Sequence, residues 1–81
     1  MTLPTITIEV SDDDFANLTE LVERCAEADT ERDGATSHGP LSDPGALLAM
    51  LAEDAAMVIR RPGAWEGAGM AQLLASHGYE V

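Results

Sequence analysis

The sequence predicts a mostly helical α+β domain, in which one N-terminal strand is followed by three helices. Three observations favour this fold class. Residues 5–10 alternate between polar and apolar side chains, as in a half-buried strand. A long segment then repeats apolar residues at helical spacing, and two further segments carry residues that start and stop helices. A chain of 81 residues has room for one core, so we expect a single domain over residues 1–81.

The predicted strand needs a partner. It places Ile6, Ile8 and Val10 on one face and polar residues on the other. Because one strand is not stable alone, it would pair with the same strand of a second subunit or with a short C-terminal strand at residues 78–81 (GYEV). Large apolar side chains are also scarce: 13 residues are alanine, whereas phenylalanine, tryptophan and tyrosine occur only once each. We therefore expect a homodimer whose two chains share one core.

The first helix is predicted over residues 11–28. Ser11 is a suitable N-cap, and the three aspartates after it meet the positive end of the helix dipole. Apolar residues at helical spacing then occupy one side, while Asp13, Glu20 and Glu27 lie on the opposite side. This pattern is typical of an amphipathic helix.

The remainder of the chain predicts a loop and two more helices. Residues 29–43 are polar and rich in turn residues, so we expect a loop there. The second helix is predicted over residues 44–61, with Pro44 in its first position. The third is predicted over residues 67–77, with Gly78 as its C-terminal cap.

The chain is strongly acidic. Its 15 Asp and Glu residues against 4 Lys and Arg residues give a formal net charge of −11 and a pI near 4.1. Such a charge repels nucleic acid and anionic membranes and attracts basic surfaces. No apolar run is long enough to span a membrane, no leader pattern opens the sequence, and the single cysteine cannot form an internal disulfide. We therefore expect a cytoplasmic protein that binds neither nucleic acid nor membrane directly.

The sequence contains no residues at the spacing of a catalytic, metal or cofactor site. His38 lies in the predicted loop, and His77 lies at a helix end, where it complements the dipole. Cys25 falls on the apolar side of the first helix, as a core residue would. The glycines of residues 63–71 (GAWEGAGMA) lack the lysine of a phosphate-binding loop and are better explained by tight turns. We predict no enzyme activity, no metal site and no cofactor.

The order strand, helix, helix over residues 5–61 resembles the ribbon-helix-helix proteins. This resemblance implies a dimeric repressor or antitoxin that places its strand in the DNA major groove. The long loop between the helices departs from that pattern, and no Lys or Arg occurs before Arg24. Because DNA binding relies on basic side chains that neutralise phosphates, the surface formed by residues 1–23 is unsuited to binding the DNA major groove. A ribbon-helix-helix antitoxin or repressor is therefore the alternative prediction.

The acids of the first helix and the following loop form a band of negative charge. A basic surface built for nucleic acid could accept this band. Small size, strong acidity and the absence of catalytic motifs resemble the phage- and plasmid-encoded inhibitors that mimic nucleic acid, including many anti-CRISPR proteins. The resemblance implies a DNA mimic in a bacterial host cell, with a complex such as a CRISPR effector as partner. The predicted contact acids are Asp12, Asp13, Asp14, Glu20, Glu23, Glu27, Asp29, Glu31 and Asp33.

Two other interpretations stay open. Acidic helix faces are commonly solvated surface that keeps a small protein soluble, which leaves some other small interaction module as a further alternative. Trp65 stands beside glycines and is either a core residue or an exposed anchor for a partner.

Overall fold

The computed structural model describes residues 2–81, and this part of the chain contains three helices. They are α1 (Asp12–Glu31), α2 (Pro44–Arg60) and α3 (Trp65–Ser76). None of the described helices has the length and apolar content needed to cross a membrane. The chain divides into two compact units, residues 1–44 and 45–81. The first unit holds α1 and its flanking segments, and the second holds α3 and all but the first residue of α2.

The predicted α+β class is wrong. No strand occurs among residues 2–81, and both residues 5–10 and residues 78–81 lack regular secondary structure. A strand is held by backbone hydrogen bonds to a neighbour, and no described segment supplies one to residues 5–10. The alternating side chains stay exposed, at 85% for Ile6 and 59% for Ile8. The alternating pattern places polar and apolar side chains on opposite faces of the segment. Without a second strand to pair with, the segment does not form a sheet.

The start of α1 is confirmed. Ser11 has an extended backbone conformation, and its Oγ accepts a hydrogen bond from the amide of Asp14 at 3.0 Å. This bond satisfies one of the four amides that the first turn leaves without an intrahelical partner. Three aspartates fill the first turn, as the sequence predicts, where their charge is favoured by the helix dipole.

The end of α1 lies three residues beyond the predicted position. The helix continues past residue 28 to Glu31, after which Asp33 and Gly34 have left-handed φ angles of 52° and 77°. The amide of Gly34 donates a hydrogen bond to the carbonyl of Asp29 at 2.8 Å. This 6→1 bond is the defining contact of a Schellman motif, which closes the helix and turns the chain into the loop.

In the second unit, residues 61–64 join α2 to α3. α2 begins at Pro44, as predicted, because proline is pre-organised for the first helical position and lacks only an amide that would be unbonded there. It ends at Arg60, one residue before the predicted end. α3 begins at Trp65, two residues before the predicted start.

Gly67 brings α3 against the backbone of α2. A Cβ atom at this position would lie 2.7 Å from the carbonyl oxygen of Met57 and 2.9 Å from that of Arg61. Both neighbours are backbone atoms, which cannot rotate away as a side chain could. Gly67 is also buried within α3, so it serves helix packing where the sequence favoured a tight turn.

α3 ends at Ser76, one residue before the predicted end, and the predicted role of Gly78 in closing the helix is confirmed. His77 is the C-cap, and Gly78 follows it with a φ angle of 93°. The amide of Tyr79 donates to the carbonyl of Leu74 at 2.9 Å, and the amide of Gly78 donates to that of Ala75 at 2.9 Å. These two bonds form a second Schellman motif, and the positive φ explains why glycine is needed after the cap.

Few apolar side chains are buried. Among the described residues, the buried hydrophobic ones are Val22 in the first unit and Leu47 in the second. Large apolar side chains remain exposed in both units, including Ile6, Ile59 and Trp65. Much apolar surface is therefore accessible to a partner.

Candidate functional site

The negative charge is concentrated in the first unit. Residues 1–44 carry eleven acidic residues and two arginines, a net charge of −9. Residues 45–81 carry four acidic residues and two arginines, a net charge of −2. Since electrostatic attraction depends on local charge, any basic surface would be attracted mainly to the first unit. Eight of its eleven acids lie on α1, which makes this helix the candidate site.

Four acids of α1 share one side of the helix. At 100° per residue, Asp13, Glu20, Glu27 and Glu31 fall within an arc of about 40°. All four are exposed. The helix rises about 27 Å from the first of these positions to the last. We call these four residues the acidic face.

Further acids flank the acidic face, and one arginine interrupts it. Asp12 and Glu23 lie to one side and Asp14 to the other, and all three are exposed. Arg24 lies between the acids, with its Nη2 3.3 Å from Oε1 of Glu20. An exposed pair one helical turn apart contributes little stability, but it lowers the negative charge presented at this point.

The charge density of α1 can be compared with that of nucleic acid. The helix is about 30 Å long and carries seven exposed acids and one arginine, a net charge of −6 from exposed groups. This is one charge per about 5 Å, whereas duplex DNA carries one per about 1.7 Å and each of its strands one per about 3.4 Å. The density of α1 is therefore nearer to that of one strand than to that of a duplex.

Asp29 does not contribute to the exposed charge. Its exposed fraction is 7%, and its Oδ1 accepts a hydrogen bond from the hydroxyl of Thr36. Asp29 lies seven residues after Val22, which is close to two helical turns, so both occupy the buried side of α1. Asp29 thus ties the following loop to the helix, and the spacing from the apolar residues is the signal that indicates it in the sequence.

The other predicted contact acids are accessible. Asp33 is exposed in the turn after α1, and its amide donates to the carbonyl of Thr30 at 3.0 Å. Its position is therefore fixed by the motif that closes the helix. Of the nine predicted contact acids, eight are exposed and Asp29 alone is buried.

A groove lies beside the acidic face on the same helix. Its volume is about 300 Å³, and it is lined by Val10, Asp14, Asn17, Leu18 and Leu21. The last four residues follow helical spacing along one side of α1, and Val10 adds a side chain from the segment before the helix. By helical spacing, Asn17 falls on the polar side of α1, and Leu18 and Leu21 fall on the apolar side. The groove runs along the boundary between the two sides, which is why neither pattern indicated it.

The side chains that could take part in catalysis or metal binding include two histidines and one cysteine. His38 and His77 are exposed, and the thiol of Cys25 is free on a half-buried residue. Within residues 2–81, no three or more His, Cys, Asp or Glu side chains form a group that could hold a metal ion.

Trp65 is exposed. It is the first residue of α3 and has 72% of its surface accessible. The sequence leaves Trp65 as either a core residue or an exposed anchor. In the structure its side chain is exposed and does not belong to a core. Ile59, at the end of α2, is exposed as well, so the second unit also presents apolar surface.

Comparison with models of protein families, with curated proteins and with solved structures finds no match to this chain. The resemblance to ribbon-helix-helix proteins depended on a strand before the first helix, and residues 5–10 form none. The antitoxin and repressor alternative has therefore lost the element on which it rested.

Proposed function

We propose that this protein is a non-catalytic acidic inhibitor that binds the basic surface of a nucleic-acid-handling complex, in the manner of a DNA-mimic anti-CRISPR protein. The acidic face is the contact surface, with Asp12, Asp14 and Glu23 beside it. The observation that carries the proposal is the separation of charge, with −9 on residues 1–44 and −2 on residues 45–81. Acids that served solubility alone would not need to gather on one helix.

The proposed inhibition is competition for a binding surface. Lysine and arginine side chains that contact phosphates in the target would pair with the carboxylates of the acidic face. The net charge of −11 speeds encounter with such a surface and prevents direct binding to nucleic acid. The proposed place of action is the cytoplasm of a bacterial host cell, for example on a CRISPR effector.

The charge density of α1 favours a surface that normally follows a single strand. One charge per about 5 Å on α1 approaches the spacing along one nucleic acid strand and falls well below that of a duplex. A basic channel for guide RNA or for single-stranded DNA therefore fits the exposed acids of α1 better than a groove built around duplex DNA.

The first test is affinity capture with the tagged protein from a CRISPR-bearing bacterial lysate at low and high salt, with bound proteins identified by mass spectrometry. We expect basic nucleic-acid-binding proteins at low salt and fewer at high salt, because salt screens exposed charges. A variant that neutralises three acids of the acidic face should lose these partners; it carries Asp13→Asn, Glu20→Gln and Glu27→Gln.

The matched control changes the same amount of charge in the second unit. It carries Glu53→Gln, Glu66→Gln and Glu80→Gln, so both triple variants have a net charge of −8. Exposed ion pairs contribute about 0.2–1 kcal/mol each, so three of them change affinity roughly 3- to 150-fold. Equal capture by the two triple variants would show that only total charge matters and would overturn the assignment to α1.

A competition assay on the captured target tests the single-strand prediction. A single-stranded oligonucleotide should displace the protein at lower concentration than a duplex of the same length. Displacement by the duplex alone would contradict the argument from charge density while leaving the acidic face as the contact surface.

The homodimer stays a prediction, and the second unit supports it best. Its net charge is only −2, and it exposes Ile59 and Trp65, so two copies can meet there with little repulsion. Sedimentation equilibrium should show a dimer that Trp65→Ser weakens. A monomer at all accessible concentrations would remove the homodimer from the proposal.

A further inference from the structure

The groove beside the acidic face is open to a ligand. Val10 and Leu21 on its walls are 42% and 45% exposed, so apolar surface within it is in contact with water. Its volume of about 300 Å³ lies at the lower limit of pockets that hold small molecules, roughly 300–1,000 Å³. It therefore has room for one or two side chains of a partner protein.

Polar groups at the groove select the kind of partner. Asp14, which carries a carboxylate, and Asn17, whose side-chain amide can both donate and accept hydrogen bonds, are among the residues that line the groove. Residues 2–23 contain six acids and no Lys or Arg. A second copy bound through this surface would place acid against acid, which is unfavourable. The charge around the groove thus favours a basic occupant.

The groove and the acidic face lie side by side on one helix. At 100° per residue, the middle of the groove is about a quarter turn around α1 from the acidic face. A segment bound along the acidic face can therefore place one of its side chains in the groove without leaving α1. Charge would give such a segment its attraction, and the apolar side chain would give it a fixed position.

We infer that the groove receives an apolar side chain from a lysine- or arginine-rich segment of the partner, so that binding combines ion pairs with one hydrophobic anchor. This inference rests on the proposed function, because it assigns a further contact to the same partner. The inference differs from the proposed function in one measurable respect: the affinity for the partner depends on the apolar side chain as well as on charge.

The test uses the full chain labelled with ¹⁵N and three synthetic helical peptides of equal length. One is lysine-rich with leucine at every third or fourth position, so that it forms an amphipathic helix; the second replaces each leucine by serine, and the third replaces each lysine by glutamate. We expect the lysine-leucine peptide to bind at least about fivefold more tightly than the lysine-serine peptide. It should also shift the amide resonances of Leu18 and Leu21, whereas the glutamate-leucine peptide should not bind.

A pair of variants locates the anchor. Leu21→Ala should weaken binding of the lysine-leucine peptide about fivefold, to the level of the lysine-serine peptide. Leu73→Ala is the matched control, because Leu73 is similarly exposed, at 50%, but lies on α3. Both leucines are half-exposed, so their loss should leave the protein folded, and the circular dichroism spectrum checks this.

The outcomes separate the inference from the proposed function. Equal binding of the two lysine peptides, or equal effects of the two leucine variants, would overturn the anchor and leave the acidic face in place. Binding of the glutamate-leucine peptide as tight as that of the lysine-leucine peptide would show that the groove does not select a basic partner. Failure of both lysine peptides to bind would overturn the inference and the proposed function together.

Discussion

Replacement of Gly67 by alanine sets two opposing effects against each other. Alanine stabilises a helix interior by about 1 kcal/mol relative to glycine. The new Cβ, however, would lie 2.7 Å from the carbonyl oxygen of Met57 in α2 and 2.9 Å from that of Arg61, the residue after α2. Overpacking of this kind costs about 1–3 kcal/mol, because backbone must move. The sum predicts a variant between equal stability and about 2 kcal/mol less stability than the natural protein.

Gly69→Ala provides the matched control two residues further along α3. A Cβ at Gly69 would meet no atom within 4 Å, so only the helix-propensity gain applies. This variant should be about 1 kcal/mol more stable than the natural protein. The difference between the two alanine variants isolates the contact with α2 and should be about 1–3 kcal/mol in favour of Gly69→Ala.

Urea denaturation followed by far-ultraviolet circular dichroism measures both variants against the natural protein. If unfolding is two-state, a difference of 1 kcal/mol also separates the melting temperatures by about 4–8 °C for a chain of this size. Equal stability of Gly67→Ala and Gly69→Ala would show that α3 does not approach the α2 backbone at Gly67. The packing described for the second unit would then be refuted.

Substitutions at three further positions test contacts of α1. Ser11→Ala removes the N-cap oxygen and should lower the unfolding free energy by about 1 kcal/mol, so an unchanged urea midpoint would argue against the cap. Thr36→Val leaves the buried carboxylate of Asp29 without its hydroxyl donor and should cost about 1–3 kcal/mol in the same assay, whereas Thr36→Ser should retain most of the stability. Arg24→Gln frees Glu20 and should change stability by no more than about 0.5 kcal/mol. It should tighten binding of the lysine-leucine peptide, and weaker binding would contradict the role given to Glu20.

The helix boundaries that depend on single residues could be predicted from the sequence. Ser11, Pro44 and Gly78 each meet a local requirement, namely an N-cap acceptor, a first residue without an amide and a residue with positive φ. Such requirements involve only neighbours along the chain. The structure therefore agrees with them even though the predicted fold class was wrong.

The strand could not be judged in the same way, because a strand depends on a second segment. Residues 5–10 have the alternation and the β-branched residues of a strand, but the pattern says nothing about whether a partner edge is present. Without that edge, side chains such as Ile6 remain in water. Periodicity predicts how a segment would present its side chains, and pairing decides whether it becomes a strand.

Asp29 and Gly67 show the same limit for tertiary contacts. The charge of Asp29 suggested an exposed contact acid, but its helical position beside Val22 places it on the buried side. The glycines around Gly67 suggested turns, but one of them lies where two backbones meet. In both cases residue type gave the ordinary expectation, and the position relative to another element determined the role.

The sparse core of the first unit connects stability with binding. Val22 is its buried apolar side chain among the described residues, while Val10 and Leu21 leave part of their surface in water. A partner that fills the groove would cover that surface and add to the burial that holds α1 in place. Any ligand that binds only the folded state stabilises it, by about 2.7 kcal/mol at a hundredfold excess over its dissociation constant. The acids of α1 repel one another in the free protein and would be neutralised in the complex, so relief of this repulsion would also stabilise the folded state. Exposed apolar surface and repulsion between acids both lower the stability of the first unit. A basic partner with an apolar anchor would reduce both.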